Sequence, residues 1–290
     1  MGGRVDSNCI HRAPRRSPLI RLVGLAFALG LGLQLGFAPA RAEIVRARYA
    51  VSLVGLHIGD AAAVGSLDSN KYRIDFNAKL TGVAALVADV RMALTSTGSM
   101  RSGSLAPATY ATTSGNSQET RTVRMALVGG NVKAVDISPP WEDRDGRVPV
   151  TESHRRNVLD PTSAFIMAVP NGQPLVGPSA CNRRIPVYDG FVRFDITLMY
   201  TGTRTVSIPG YSGPVSVCAA RYTPIAGHKR DSRSTRFMAE NRQIQVWLAP
   251  VEGAHVVVPL RVELMTLAGE ALIEAVEFSV EPSSVTAATH

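Results

Sequence analysis

Hydrophobic and polar residues alternate along most of this chain with a period of two. In "KYRIDFNAKL", residues 71–80, Tyr72, Ile74, Phe76 and Ala78 share one face, and Lys71, Arg73, Asp75, Asn77 and Lys79 share the other. Side chains alternate across a strand, so this stretch reads as a half-buried β-strand. In "FVRFDITLMY", residues 191–200, Val192, Phe194, Ile196, Leu198 and Tyr200 form the expected core face, opposite Phe191, Arg193, Asp195, Thr197 and Met199. A slip of one residue would bury Arg193 and Asp195, so the pattern sets the register.

Turn residues punctuate the alternation. Gly129-Gly130 joins two strands in "TRTVRMALVGGNVKAVDI", and Glu252-Gly253 and Ala268-Gly269 divide the C-terminal part into three more. Asp189-Gly190 sits between "RIPVY" and "FVRFDITLMY" and predicts a two-residue type I′ hairpin corner, whose central positions both need positive φ. About a dozen strands follow one another in meander order, with no period that signals a propeller. The fold class is all-β, with one or two short helices. One helix is expected in "LTGVAALVADV", residues 80–90, behind Thr81. A stronger one is expected in "LDPTSAFIMAVP", residues 159–170, with Asp160 as N-cap, Pro161 in the first position and Pro170 as the stop. Phe165 would point inward there, joined by Met167 or Val169.

The N-terminus changes the picture of charge and compartment. Arg4, Arg12, Arg15 and Arg16 precede "LIRLVGLAFALGLGLQLGF", residues 19–37, and "APARA" follows. Small residues at Ala40 and Ala42 complete a signal-peptide cleavage site, which places the mature start at Glu43 and the protein in the periplasm, with no membrane span after cleavage. Arg15-Arg16 hints at the twin-arginine route, but the residues after it fit general secretion better. Residues 1–42 hold six arginines and one aspartate, so most of the formal charge of +8 belongs to the leader. The mature chain has no basic stripe with interleaved aromatics, which argues against nucleic acid. Residues 43–282 form one β domain on this reading, with residues 283–290 as a disordered tail. The segment "SPPWEDRDGRVPVTESHRRN", residues 138–157, is a long surface connection.

Cleavage removes Cys9 and leaves Cys181 and Cys218. In an oxidising compartment this pair is a disulfide candidate. A catalytic cysteine would need an adjacent histidine, and His154, His228 and His255 lie in no such signature. No G-x-S-x-G occurs, and Ser163 and Ser212 read as a helix start and a turn. The histidines lack metal-ligand spacing, and "EDRDG", residues 142–146, lacks the rest of a calcium loop. No cofactor is implied. Trp247, in "IQVWLAP", falls on the less apolar face of its strand and is a candidate groove contact, although core or edge packing is the plainer reading. Trp141 in the long loop could touch a partner or fold back onto the sheet.

Several strings together resemble a known family. "YAVSLVGLHIGDA", "LDPTSAF", "IPVYDGFVRFDI", "YSGPVSVCAARYTPIAGH", "VWLAP" and "VPLRVEL" followed by "AGEALIEAVEF" are similar to the exported bacterial proteins grouped as domain of unknown function 3108, over residues 46–280. The resemblance implies a periplasmic protein with a strongly curled, mostly antiparallel sheet, barrel-like or spiral, and no established activity. A recurring Asp-Gly-x-Arg corner in that family maps onto Asp189, Gly190 and, one residue late, Arg193. Two functions are weighed. One is a non-enzymatic envelope factor that holds a lipid-like ligand or a protein partner in a concave apolar cleft. The other is a hydrolase of an envelope polymer, working through acids or histidines that converge in that cleft.

Overall fold

The computed structural model describes residues 42–282, apart from 69, 102 and 141–144. The expected leader, the tail 283–290 and Trp141 lie outside the described residues.

The first described strand lies in the middle of the sheet. From β1 (Glu43–Leu53) the chain meanders outward through β2 (Leu56–Leu67), β3 (Lys71–Leu80), β4 (Arg91–Arg101), β5 (Ser104–Gly115) and β6 (Thr120–Val128) to β7 (Asn131–Ser138), which is one edge. A crossing segment, residues 139–182, then carries it to the opposite edge, β9 (Arg183–Tyr188). From there β10 (Arg193–Ile208), β11 (Tyr211–Ala226), β12 (Ile244–Val251), β13 (Val256–Thr266) and β14 (Gly269–Pro282) meander back until β14 pairs antiparallel with β1. A two-residue strand on the crossing segment, β8 (Met167–Ala168), pairs with the start of β13. The sheet is all-antiparallel along this path, has fourteen strands, and is not closed by a ladder.

Local sequence explains most of this. Gly129 and Gly130 both have positive φ, 57° and 73°, as the two-residue hairpin requires. α1 (Gly82–Val87) begins after Thr81 as expected, although the Thr81 hydroxyl meets His57 Nε2 at 3.2 Å and caps no backbone N–H. α2 (Pro178–Cys181) and α3 (Arg233–Glu240) were not anticipated; α3 starts where the Ser232 hydroxyl accepts the Thr235 N–H. No helix among the described residues is long and apolar enough to cross a membrane.

Three expectations are corrected. Residues 159–170 do not form a helix. Asp160 does cap, with Oδ1 accepting the N–H groups of Thr162 and Ser163 at 3.0 and 2.8 Å, but only a 3₁₀ turn, Ser163–Phe165, follows. The chain then extends, because Val256 and Val257 at the start of β13 offer an unpaired edge and Met167-Ala168 takes it. Tertiary pairing overrides local helix preference here. The Asp189-Gly190 corner is not a two-residue type I′ turn. Only Gly190 has positive φ, the ladder resumes at Tyr188 and Arg193, and Asp189 Oδ1 accepts the N–H groups of Phe191 and Val192 at 2.7 and 2.6 Å. The turn is closed by a side chain, as aspartate can do. Finally, Arg193 and Asp195 are buried even though Phe194, Ile196 and Leu198 face the core as expected. Arg193 Nη1 donates to Asp195 Oδ1 at 2.6 Å and to the Phe194 carbonyl, and Arg184 Nε donates to Asp195 Oδ2. A charged pair can lie inside because each member satisfies the other.

The crossing segment fills the curl of the sheet. Phe165 lies with its ring centroid 6.4 Å from that of Tyr49 and 5.3 Å from that of Phe76, against β1 and β3. Ile166 joins it in a cluster with Val45, Ala47, Ile74, Val258 and Phe278. Burial of such side chains stabilises by about 2–3 kcal/mol each. The space left among them is about 30 Å³. The expected concave apolar face therefore exists, but the protein's own chain occupies it. A second cluster forms around the Cys181–Cys218 disulfide, which joins α2 to β11 with both cysteines fully buried.

Candidate functional site

Three buried polar residues, Asp160, Thr162 and Ser163, follow one another on the crossing segment. Asp160 is fully buried, as are Ser96 on β4 and Ser163. The Asp160 carboxylate accepts hydrogen bonds from the Ser96 hydroxyl and, at 2.5 Å, from the Ser163 hydroxyl; Tyr72 OH lies 2.7 Å from Ser163 Oγ. With the Ser163 hydrogen committed to Asp160, Tyr72 is the donor. Burial pushes the Asp160 carboxyl above the usual carboxylate range, against the pull of the Ser163 and Ser96 hydrogen bonds. This is an acid–serine cluster, but every oxygen of the carboxylate is engaged and the group has no contact with solvent. Its geometry anchors residues 160–163 to β3 and β4.

The two ends of the sheet meet through the same segment. Val158 N donates to the Gly130 carbonyl at 2.8 Å, beside β7. One residue on, Leu159 N donates to the Pro186 carbonyl at 2.8 Å, and the Leu159 carbonyl accepts from Tyr188 N at 2.9 Å, on β9. Tyr188 itself packs with Tyr110, Val123 and Met125 of the opposite end. Residues 157–159 are thus a strap across the open seam of the sheet.

Beside the strap lies a cleft of about 480 Å³, open to the surface. Its walls are Leu105 and Ala106 of β5, Val158 and Leu159 of the strap, Ile166 and Met167 behind it, and Ile185 of β9, with Arg183 and Arg184. The volume and the mainly apolar lining are those of a small-molecule site. None of the described lining residues is a carboxylate. Arg183 shares a strand face with Ile185 and Val187, so it points the same way as the second core cluster. Its Nη1 donates to the Ala168 carbonyl at 2.7 Å and its Nη2 to the Ser179 carbonyl at 2.5 Å, while its buried Nε has no hydrogen-bond partner among the described residues. Burial holds the guanidinium below its usual pKa. A second depression, about 870 Å³, lies on the other face of the sheet. Its floor is the register ladder Ala62–Asn77–Ala93–Thr113, and two of its arginines are neutralised, Arg48 by Glu277 and Arg91 by Asp89.

The residues singled out from sequence fall elsewhere. Arg193 is held in the buried pair with Asp195 and lines neither cavity. Asp189 and Gly190 form the corner that abuts β6 and β7. Trp247 is half-buried against the first cluster; its Nε1 donates to Gln245 Oε1 at 2.7 Å and the Arg261 guanidinium covers its ring at 5.2 Å. Glu43 opens β1, and its carboxylate accepts the N–H groups of Gly253 and Ala254 at 3.1 and 2.8 Å; Ala42 immediately precedes it. Arg183 was missed. The signal was the alternation Arg183, Ile185, Val187, which places a cation on an apolar face. Among the described residues, no three His, Cys, Asp or Glu side chains gather as metal ligands.

The fold and its strap define a class: an open, curled antiparallel β protein sealed by its own crossing segment. The sequence profile of the family described as protein of unknown function (DUF3108) matches residues 48–276, and the chain belongs to that family. No curated protein matches the chain. Among solved structures it is similar to a β-barrel-like protein of domain of unknown function DUF1849 from Brucella abortus, with TM-score 0.49 and 10% identity over 83% of this chain and 99% of that one. It is also similar to a hypothetical protein from Chlamydia trachomatis, with TM-score 0.27 and 11% identity over 82% of this chain and 89% of the other.

Proposed function

We propose that this is an exported, periplasmic, non-enzymatic envelope protein that holds a lipid-like ligand in the cleft beside the strap. The observation that carries the reading is the cleft itself: about 480 Å³ of mainly apolar space beside the strap, next to a core cluster that leaves only about 30 Å³ among its own side chains. Export is supported by the leader pattern, by a β1 that begins at Glu43, and by the joined Cys181 and Cys218. Against the reading as a hydrolase of an envelope polymer stand a cleft lining without carboxylate or histidine among the described residues, and an Asp160–Ser163 pair that is sealed and mutually satisfied. A protein partner remains the occupant to test against.

The experiment is native, non-reducing mass spectrometry of the protein purified from its own envelope. A chain beginning at Glu43, two hydrogens lighter than the reduced form and carrying mass that organic solvent releases, is the expected result. A chain that retains residues 1–42 would overturn export with cleavage. A bare chain that also takes up no single-chain amphiphile in vitro would overturn the ligand reading.

A further inference from the structure

We propose that the cleft selects an anionic amphiphile, with the negative head held by Arg183 and the tail along the part-exposed apolar lining, Leu105, Ala106, Leu159 and Pro186. This rests on the reading of the cleft as a ligand site and names the chemistry that the site prefers.

The argument is one of uncompensated charge. The neighbouring Arg184 and Arg193 share the carboxylate of Asp195. Arg183 has no carboxylate partner among the described residues; it faces two carbonyl dipoles, which orient a guanidinium without neutralising it. Its Nε is buried and without a partner among the described residues, and each Nη keeps a second hydrogen that can meet a head group. A half-buried cation without a counter-charge is costly, and removal of water around it strengthens its attraction for an anion. The carbonyls of Ala168 on β8 and Ser179 on α2 hold the fork in place before a ligand arrives, which lowers the ordering cost of binding. The described walls bring no acid that would repel a negative head. Arginine suits both carboxylate and phosphate, so a fatty acid and a phosphorylated lipid fragment fit the same chemistry.

The test is calorimetric titration of the mature protein with dodecanoate, dodecyl phosphate, dodecanol and dodecylammonium. The expected order places at least one anion about tenfold or more tighter than the alcohol, and the ammonium weakest, in keeping with a charge-assisted bond. The tighter of the two anions identifies the head as carboxylate or phosphate. Arg183→Met should erase the difference between anion and alcohol, Arg183→Lys should keep part of it, and Arg48→Met on the opposite face should leave it intact. Equal binding of anions and alcohol to the wild-type protein would overturn the selectivity and leave the apolar site standing, and this comparison needs no variant to fold. An anion preference that survives Arg183→Met in a folded protein would also overturn it. Failure of all four ligands would remove the ligand reading itself.

Discussion

Gly190 and Val123 touch across the seam of the sheet: a Cβ on Gly190 would stand 2.5 Å from Val123 Cγ1. Gly190 follows the last edge strand, β9, and Val123 lies on β6, beside the first edge. The contact explains why this corner is a glycine twice over, because Gly190 also has φ of 99°, a conformation costly for other residues. Gly190→Ala is expected to cost about 2–4 kcal/mol from strain and overpacking. Urea denaturation measures it. Combination with Val123→Ala should recover the overpacking part and leave the strain, a non-additivity that a double-mutant cycle reads directly.

Asp160 ties the strap to β4. Asp160→Ala removes the acceptor for four donors and should destabilise by about 3 kcal/mol or more, while Asp160→Asn, which keeps one oxygen, should cost less. The pH dependence has a definite sign. The folded carboxyl titrates above its ordinary value, so the folded chain binds this proton more readily than the unfolded one. The wild-type protein should therefore gain stability relative to Asp160→Asn as pH falls through the raised folded value, with the gain complete below the unfolded value of about 4. Subtraction of the two variants' urea midpoints, measured at steps of pH, removes the parallel contribution of Asp189, also raised by burial and present in both.

The disulfide fixes the end of the crossing segment to β11 across a sequence separation of 37 residues. On the chain-entropy model its loss costs about 4 kcal/mol. Cys181→Ser and Cys218→Ser should each lower the melting temperature by a similar amount, and reductant should shift the wild-type protein towards them. Identical melting of all three proteins would show that the bridge contributes nothing.

Asp195 is the only carboxylate seen bonded to the buried Arg193 among the described residues. Asp195→Ala should cost about 3–5 kcal/mol, because it strands a buried cation. Replacement of both residues by apolar ones, Arg193→Met with Asp195→Leu, should be milder than Asp195→Ala alone. The ranking of the three unfolding free energies checks this.

The strands and most of the turns were determined by the sequence itself, for a local reason. Alternation on Tyr72, Ile74, Phe76 and Ala78 needs only neighbours along the chain, and the positive φ at Gly129 and Gly130 needs only the missing Cβ. The expected cleavage point and the cysteine pair are equally local in origin. What the tertiary structure decided is everything that depends on which strand edge meets which segment. Residues 166–168 extend instead of coiling because β13 leaves an edge free. Asp195 is buried because Arg193 and Arg184 come with it. The concave face is full because the chain must cross from β7 to β9, and its apolar Phe165 and Ile166 find their burial there. Arg183 meets no carboxylate among the described residues for the same kind of reason: Asp195 lies on the other face of β10, and no local pattern records that distance.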